Sequence, residues 1–187
     1  MKGSASNPTD MPTGLIAGKS QSYQPRQRIL GGGFDMRIAA DGTWYYQGSP
    51  ISRPALVKLF ASILRREEAG DYWLVTPVER GRVRVEDSPF TAVEVTAERR
   101  GSDQRLIFRT NLDEIVALDE AHPLRLAQGE RSEDPPRLYI LVRDRLEARI
   151  LRPVYYHLVE LGEQQGVSFG VWSSGRFFPL GALDSAL

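Results

Sequence analysis

The chain has 187 residues, no cysteine, and 24 basic side chains balanced by 24 acidic ones. This length fits one large domain or two small ones. The absence of cysteine excludes disulfides, thiolate metal sites, iron–sulfur clusters and a cysteine nucleophile. A net charge of zero gives no electrostatic support to a protein that coats DNA or binds membranes through a polybasic surface, so we expect no nucleic-acid partner.

The N-terminal segment is predicted to be a flexible leader over residues 1–32. It is rich in Ser, Pro, Gly and Gln, and it lacks the apolar core of a secretory signal. No apolar run in the sequence approaches the ~20 residues that a membrane helix needs. We therefore expect a cytoplasmic protein with no membrane span.

The first ordered elements are predicted from Phe34 onward. Residues 34–46 have the pattern of a β-hairpin that turns at Asp41-Gly42. A helix should follow, with Ser52 as its N-cap and Pro54 in its first turn. Its apolar stripe extends through Leu64, and Gly70 is predicted to end it.

Turn residues separate the next apolar segments into four predicted strands. Val83 and Val85 alternate with charged residues, which indicates one apolar and one solvated face. The sequence thus predicts an antiparallel meander with one solvent-exposed face. Its strands are predicted at residues 72–76, 82–86, 91–97 and 105–110.

The C-terminal part repeats this kind of pattern. After an exposed loop at 129–136, a hairpin is predicted over 138–151, turning at Arg143-Asp144-Arg145. A helix begins at Arg152-Pro153 and ends at Gly162, and a closing hairpin turns at Ser174-Gly175.

Both halves share one order of elements: hairpin, Arg-Pro, amphipathic helix, glycine, aromatic strand. Arg53-Pro54 in the first half corresponds to Arg152-Pro153 in the second. The sequence therefore predicts an α+β fold of two units related by duplication, at residues 33–104 and 105–187.

The sequence contains no recognisable catalytic or metal-binding motif. The two histidines are not accompanied by a Gly-x-Ser-x-Gly nucleophile elbow. His157 and Glu160 have acceptable spacing for metal ligands, but zinc normally takes at least three protein ligands. We predict no catalytic residue, no metal site and no cofactor, and leave open whether the protein is an enzyme.

Several segments resemble the bacterial family named domain of unknown function 1285, with the run from Leu74 to Phe90 being the most specific. The resemblance covers about residues 33–181. It implies a duplicated α+β core whose C-terminal half is similar to a pleckstrin-homology fold. It also implies a cleft between the halves for a nucleotide-like ligand and a link to signal transduction. The similar segments are Phe34-Asp35-Met36-Arg37-Ile38, Asp41-Gly42-x-Trp44, Gly48-x-Pro50-Ile51-x-Arg53, Leu56-Val57-x-Leu59-Phe60, Tyr72-x-Leu74-Val75-Thr76-Pro77-Val78-Glu79, Val85-Glu86-Asp87-x-Pro89-Phe90, Thr110-Asn111, Arg145-Leu146-Glu147-Ala148 and Trp172-Ser173-x-Gly175.

The first functional hypothesis is a non-catalytic module that senses a small anionic, nucleotide-like molecule between the two units. Arginine forks would bind phosphate, and Asn111 and Asp113 would bind hydroxyl groups or base edges. A protein–protein adaptor without a small ligand is the alternative, and a metal-dependent hydrolase using Asp87 or Asp113 is the third and weakest hypothesis. The predicted ligand-binding residues are Arg53, Thr76, Glu79, Arg80, Asn111, Asp113 and Arg152.

Overall fold

The computed structural model describes residues 28–31, 34–128 and 136–182. The described residues form three β-sheets and two nine-residue helices, which is an α+β architecture. In this part of the chain no helix is long and apolar enough to cross a membrane. Most of the predicted leader, and the predicted loop at 129–136 except for its last residue, lie outside the described residues.

The first sheet contains seven strands in the order β4-β3-β2-β7-β6-β5, with β1 also paired to β7. Both β1 and β2 run parallel to β7, β1 beside its first residues and β2 beside its last. The helix α1 places Val57 and Ala61 in the core together with the inward side chains of the sheet. The elements are β1 (Arg28–Ile29), β2 (Met36–Ile38), β3 (Trp44–Tyr46), β4 (Ser49–Pro50), α1 (Pro54–Ser62), β5 (Leu64–Arg66), β6 (Tyr72–Val75) and β7 (Glu79–Val85).

The second sheet has six strands in the order β10-β9-β8-β13-β12-β11. Its central pair, β8 and β13, is parallel, and the other pairs are antiparallel. Phe90 and Phe108 are fully buried in its core. The strands are β8 (Phe90–Glu98), β9 (Arg105–Thr110), β10 (Ile115–Ala117), β11 (Leu124–Ala127), β12 (Arg137–Arg143) and β13 (Leu146–Ile150), and a 3₁₀ turn at Gly101–Asp103 joins β8 to β9.

The helix α2 (Arg152–Glu160) and a third sheet complete the fold. This sheet is an antiparallel meander of β14 (Glu163–Gln165), β15 (Ser168–Ser173) and β16 (Arg176–Ala182). The buried Ser173 joins it to the second sheet, because its hydroxyl donates to Leu118 O at 2.6 Å and accepts from Leu106 N at 3.0 Å.

The predicted hairpins and the start of the second helix are confirmed. The first hairpin turns where Gly42 has φ +86°, and the closing one turns at Ser174 and Gly175 with φ of 53° and 74°. Each half also has the same order of hairpin, nine-residue helix and three antiparallel strands.

The end and the cap of the first helix were predicted wrongly. Arg53, not Ser52, is the N-cap, and it makes no side-chain capping bond. The helix ends at Ser62 rather than near Gly70, because Leu64–Arg66 pairs with β6 as a strand. Leu64 is fully buried, so an apolar residue at this position satisfies a strand as well as a helical stripe.

The four central strands do not form a single meander. The pair β6–β7 lies in the first sheet and the pair β8–β9 in the second. The predicted division at 104/105 assigned β8 to the first unit, whereas β8 pairs with strands of the second sheet. The solvated face of β7 is confirmed, since Val83 is buried while Arg82 and Arg84 are exposed.

Gly170 on β15 provides a test of the packing between β15 and β16. A Cβ atom at this position would lie 2.3 Å from the carbonyl oxygen of Phe178, whereas a Cβ at Gly181 on β16 would meet open space. Because a backbone carbonyl in a paired strand cannot move aside, Gly170→Ala should lower the free energy of unfolding by about 1–3 kcal/mol. The matched Gly181→Ala should change it by no more than about 0.5 kcal/mol. Urea denaturation of both variants checks this, and equal midpoints would contradict it.

Candidate functional site

We take the first sheet with α1 as the first unit, and the second and third sheets with α2 as the second unit. A cleft separates the C-terminal end of α1 in the first unit from two turns of the second unit. Its cavity has a volume of about 420 Å³. The last turn of α1 and β5 form one wall, and the turns that follow β9 and β12 form the other. The lining residues are Lys58, Ala61, Ser62, Arg65, Leu112, Glu114, Arg143 and Asp144.

Arg143 connects the two walls of the cleft. Its guanidinium binds Glu114 through two nitrogens, with Nε at 3.1 Å and Nη2 at 3.3 Å from the carboxylate oxygens. Nη2 also donates to the carbonyl oxygen of Ala61, near the end of α1, at 2.7 Å. One side chain of the second unit therefore fixes the position of the first unit's helix.

A second ion pair crosses between the units beside the cavity. Lys58 on α1 binds Asp113 at 2.6 Å, and Arg109 binds the other oxygen of the same carboxylate at 3.2 Å. The hydrogen bond from Lys58 is the main reason that the pKa of Asp113 is lowered. Asp113 has φ +64°, so an unusual backbone conformation brings its carboxylate to α1.

A second cavity of about 430 Å³ adjoins the first and shares Arg65 and Asp144 with it. Its remaining lining residues are Arg66 and Arg145. Arg66 lies 3.7 Å from Glu147, and Arg145 binds Glu68 at 2.9 Å, so both of these arginines also pair across the units.

Arg65 and Asp144 differ from the other charged lining residues. Arg65 donates to the backbone carbonyls of Ser62 at 3.1 Å and Leu64 at 2.7 Å, and within the described residues it has no carboxylate partner. Asp144 likewise makes no hydrogen bond or ion pair in the described part of the chain. The two side chains common to both cavities are thus a cation and an anion that remain available to a ligand.

Three of the predicted ligand-binding residues lie at the β6–β7 turn and do not line these cavities. Thr76 accepts a hydrogen bond from Glu79 N at 3.0 Å, which closes the turn. Glu79 binds Arg28 at 2.9 Å. Arg80 binds Glu67 at 2.6 Å and lies over the ring of Trp73 at 3.9 Å.

The other four predicted residues lie at the starts of the two helices and in the turn after β9. Arg53 and Arg152 are exposed at the starts of the two helices. Asn111 joins the two sheets, because it accepts from Thr91 N at 3.0 Å and donates to Gly42 O at 3.4 Å. Of the seven predicted residues, Asp113 is bonded to a cleft-lining side chain, Lys58.

The residues that line both cavities were missed, although the sequence carried a signal for them. Asp144 and Arg145 occupy a two-residue hairpin turn with φ of 42° and 67°. Such turns favour Asn-Gly because both positions are left-handed. An Asp-Arg pair there departs from the residues that the turn prefers, and such departures occur at functional sites.

The two halves of the chain match two models of the same family. Residues 22–88 match the N-terminal domain of a domain of unknown function, DUF1285, and residues 89–180 match the C-terminal domain of DUF1285. A crystal structure of a DUF1285 family protein from Silicibacter pomeroyi DSS-3 is similar, with 48% identity over 84% of each chain and a TM-score of 0.78.

The chain belongs to the DUF1285 family. A second crystal structure of a family member, from Shewanella baltica OS155, has 28% identity and a TM-score of 0.53, covering 68% of this chain and 91% of that one. A comparison with curated proteins gave no match.

Asp87, in the segment that joins the two sheets of this family member, is 7% exposed. Tyr139 Oη donates to one of its carboxylate oxygens at 2.6 Å, and Arg149 donates to the other at 2.9 Å. Burial is the main reason that the pKa of Tyr139 is raised, and the hydrogen bond to Asp87 raises it further. Both oxygens of Asp87 are therefore engaged in structural contacts. Within the described residues, no cluster of three His, Asp or Glu side chains could hold a metal ion.

Replacing Tyr139 by Phe should destabilise the protein, because it removes a hydrogen bond to a buried carboxylate. We expect Tyr139→Phe to lower the free energy of unfolding by about 1–3 kcal/mol. Tyr156→Phe is the matched control, since Tyr156 is 60% exposed and its change should be within about 0.5 kcal/mol. Chemical denaturation measures both variants, and a Tyr139→Phe protein as stable as the control would show that Asp87 does not depend on this bond.

Proposed function

We propose that this protein is a non-catalytic module that binds a small anionic, nucleotide-like molecule in the cleft between its two units. The observation that carries the proposal is the cleft itself, whose lining cations come from both units. Lys58 and Arg65 belong to the first unit and Arg143 to the second. A ligand that contacts all three would therefore bind both units at once.

The cleft offers an anion mainly arginine side chains, of which Arg65 has no carboxylate partner within the described residues. The two adjoining cavities are lined by five cationic and two acidic side chains, and four of the five cations are arginine. The arginine fork binds phosphate or carboxylate through two parallel hydrogen bonds. A cavity of about 420 Å³ also lies within the range of small-molecule sites.

Binding between the units supplies a route for a signal, which would suit the role in signal transduction that the family resemblance implies. A ligand that favours one arrangement of the units shifts their equilibrium toward it. The contacts from Lys58 to Asp113 and from Arg145 to Glu68 cross between the units and would respond to such a shift. We further propose that the two units arose by duplication, as the shared order of their elements suggests, and that the second unit is similar to a pleckstrin-homology fold.

An adaptor without a small ligand is the second candidate. Tyr156 and Val159 lie one turn apart on α2 and are 60% and 38% exposed. Exposed apolar side chains on one helix face are suited to contact another protein. A double Tyr156→Ser/Val159→Ser variant that loses a stoichiometric partner retained by the wild type would favour this role, provided that anions leave the melting temperature unchanged.

The ligand-binding proposal predicts a melting-temperature shift that depends on Arg65. A ligand present at 100 times its dissociation constant stabilises a native protein by about 2.7 kcal/mol, which for a chain of this size is about 5–10 °C. A panel of nucleotides and inorganic anions at millimolar concentration should contain at least one compound with such an effect. Arg65→Gln should abolish most of that shift.

Arg84→Gln is the control for this experiment. Arg84 is an exposed arginine on β7 outside both cavities, so its replacement makes the same change in net charge. The ligand-free melting temperature of each variant separates a loss of folding from a loss of binding. A panel that stabilises nothing, or a shift that Arg65→Gln and Arg84→Gln reduce equally, would contradict the proposal.

A further inference from the structure

Arg65 and Asp144 each line both cavities, yet they form no ion pair with each other within 4.0 Å. In the part of the chain described, Arg65 has carbonyl partners alone and Asp144 has none. Both side chains are exposed, so water solvates them in the free protein and a ligand can displace that water. A single ligand with an acidic group for Arg65 and hydrogen-bond donors for Asp144 would satisfy both.

The remaining cations of the two cavities already have carboxylate partners. Lys58 pairs with Asp113, Arg143 with Glu114, Arg66 with Glu147 and Arg145 with Glu68. Arg65 is thus the cation whose charge is not compensated by a carboxylate, which indicates a ligand with one principal anionic group rather than a run of phosphates.

Asp144 is held in place by the tight turn between β12 and β13. The left-handed conformation of Asp144 is common for aspartate, but that of Arg145 costs about 1 kcal/mol relative to glycine. Arg145 also pairs with Glu68 of the first unit at 2.9 Å, with both side chains exposed. The two-residue turn itself therefore sets the position of Asp144, which lines both cavities.

We propose that Asp144 determines ligand specificity and selects a phosphate monoester that carries neighbouring hydroxyl groups. This inference rests on the proposed function of the cleft. The phosphate binds the Arg65 guanidinium, and the hydroxyl groups donate to the Asp144 carboxylate, as acidic residues bind ribose hydroxyls in dinucleotide-binding proteins. The negative charge of Asp144 also repels an anion that brings no sugar hydroxyl groups, so inorganic phosphate binds more weakly than a sugar phosphate.

The test compares ribose 5-phosphate with inorganic phosphate on wild type and Asp144→Asn, by isothermal titration calorimetry. Asparagine tolerates the left-handed conformation, so the turn is retained. Loss of the charged acceptor should weaken ribose 5-phosphate by about ten-fold. Loss of the like charge should strengthen inorganic phosphate by about three-fold. Asp103→Asn, at an exposed position outside both cavities, makes the same charge change and should alter neither affinity.

The outcomes separate this inference from the proposed function. Opposite changes for the two compounds in Asp144→Asn alone would support the inference. Parallel changes, or an unchanged ratio of the two affinities, would overturn the role of Asp144 while leaving an anion-binding cleft. If the wild type binds neither compound, and no nucleotide or other anion shifts its melting temperature, both proposals fail.

Discussion

Arg143 holds the two units together at the point where the cleft forms. The last carbonyl groups of a helix have no partners within the helix, and they need donors from elsewhere. At the end of α1 the carbonyl of Ala61 accepts a hydrogen bond from Arg143 of the second unit. The guanidinium of Arg143 also donates to Glu114. Because the guanidinium is planar and rigid, these contacts fix the distance between α1 and the second sheet. The width of the cavity follows from that distance.

Most of the charged side chains that surround this contact are paired with a side chain of opposite charge. Glu147 accepts two hydrogen bonds from Arg125, at 2.6 and 2.7 Å, and lies 3.7 Å from Arg66 of the first unit. A neutral chain that pairs its charges so extensively has little general attraction for anions. If the cleft binds an anion as proposed, the affinity comes from the few charges that stay unpaired, which is why Arg65 and Asp144 carry more weight than the total number of arginines.

The sequence predicts local elements well and their partners poorly. The turns at Gly42 and Gly175 were predicted because a left-handed backbone position restricts the residue types that can occupy it. The extra strand at Leu64–Arg66 was missed because two consecutive apolar residues fit the end of a helix as well as a strand. Pairing of β5 with β6 depends on residues further along the chain, and periodicity does not report it. The same limit explains why the four central strands, predicted as one meander, belong to two sheets.

To predict which residues share a site, one must also know which strands are neighbours. Of the polar strand-end residues that the sequence singles out, Asp113 reaches Lys58 across the cleft. Thr76, Glu79 and Arg80 do not lie there, because the β6–β7 turn lies away from both cavities and its polar groups bind one another or nearby side chains. The order of strands in a sheet decides which residues lie beside the end of a strand, and the order predicted from the sequence was wrong.

The difference between the two helix ends explains why a cleft forms beside α1. Phe169 packs so closely over Gly162, just beyond α2, that a Cβ there would lie 2.5 Å from the ring. The third sheet of its own unit therefore covers the end of α2. The end of α1 is instead bound by Arg143 from the other unit, and a cavity lined by Lys58, Arg65 and Asp144 remains beside the helix. If the units share an ancestor, the cleft arose where the carbonyl end of the first unit's helix came to be bound by a side chain of the second unit.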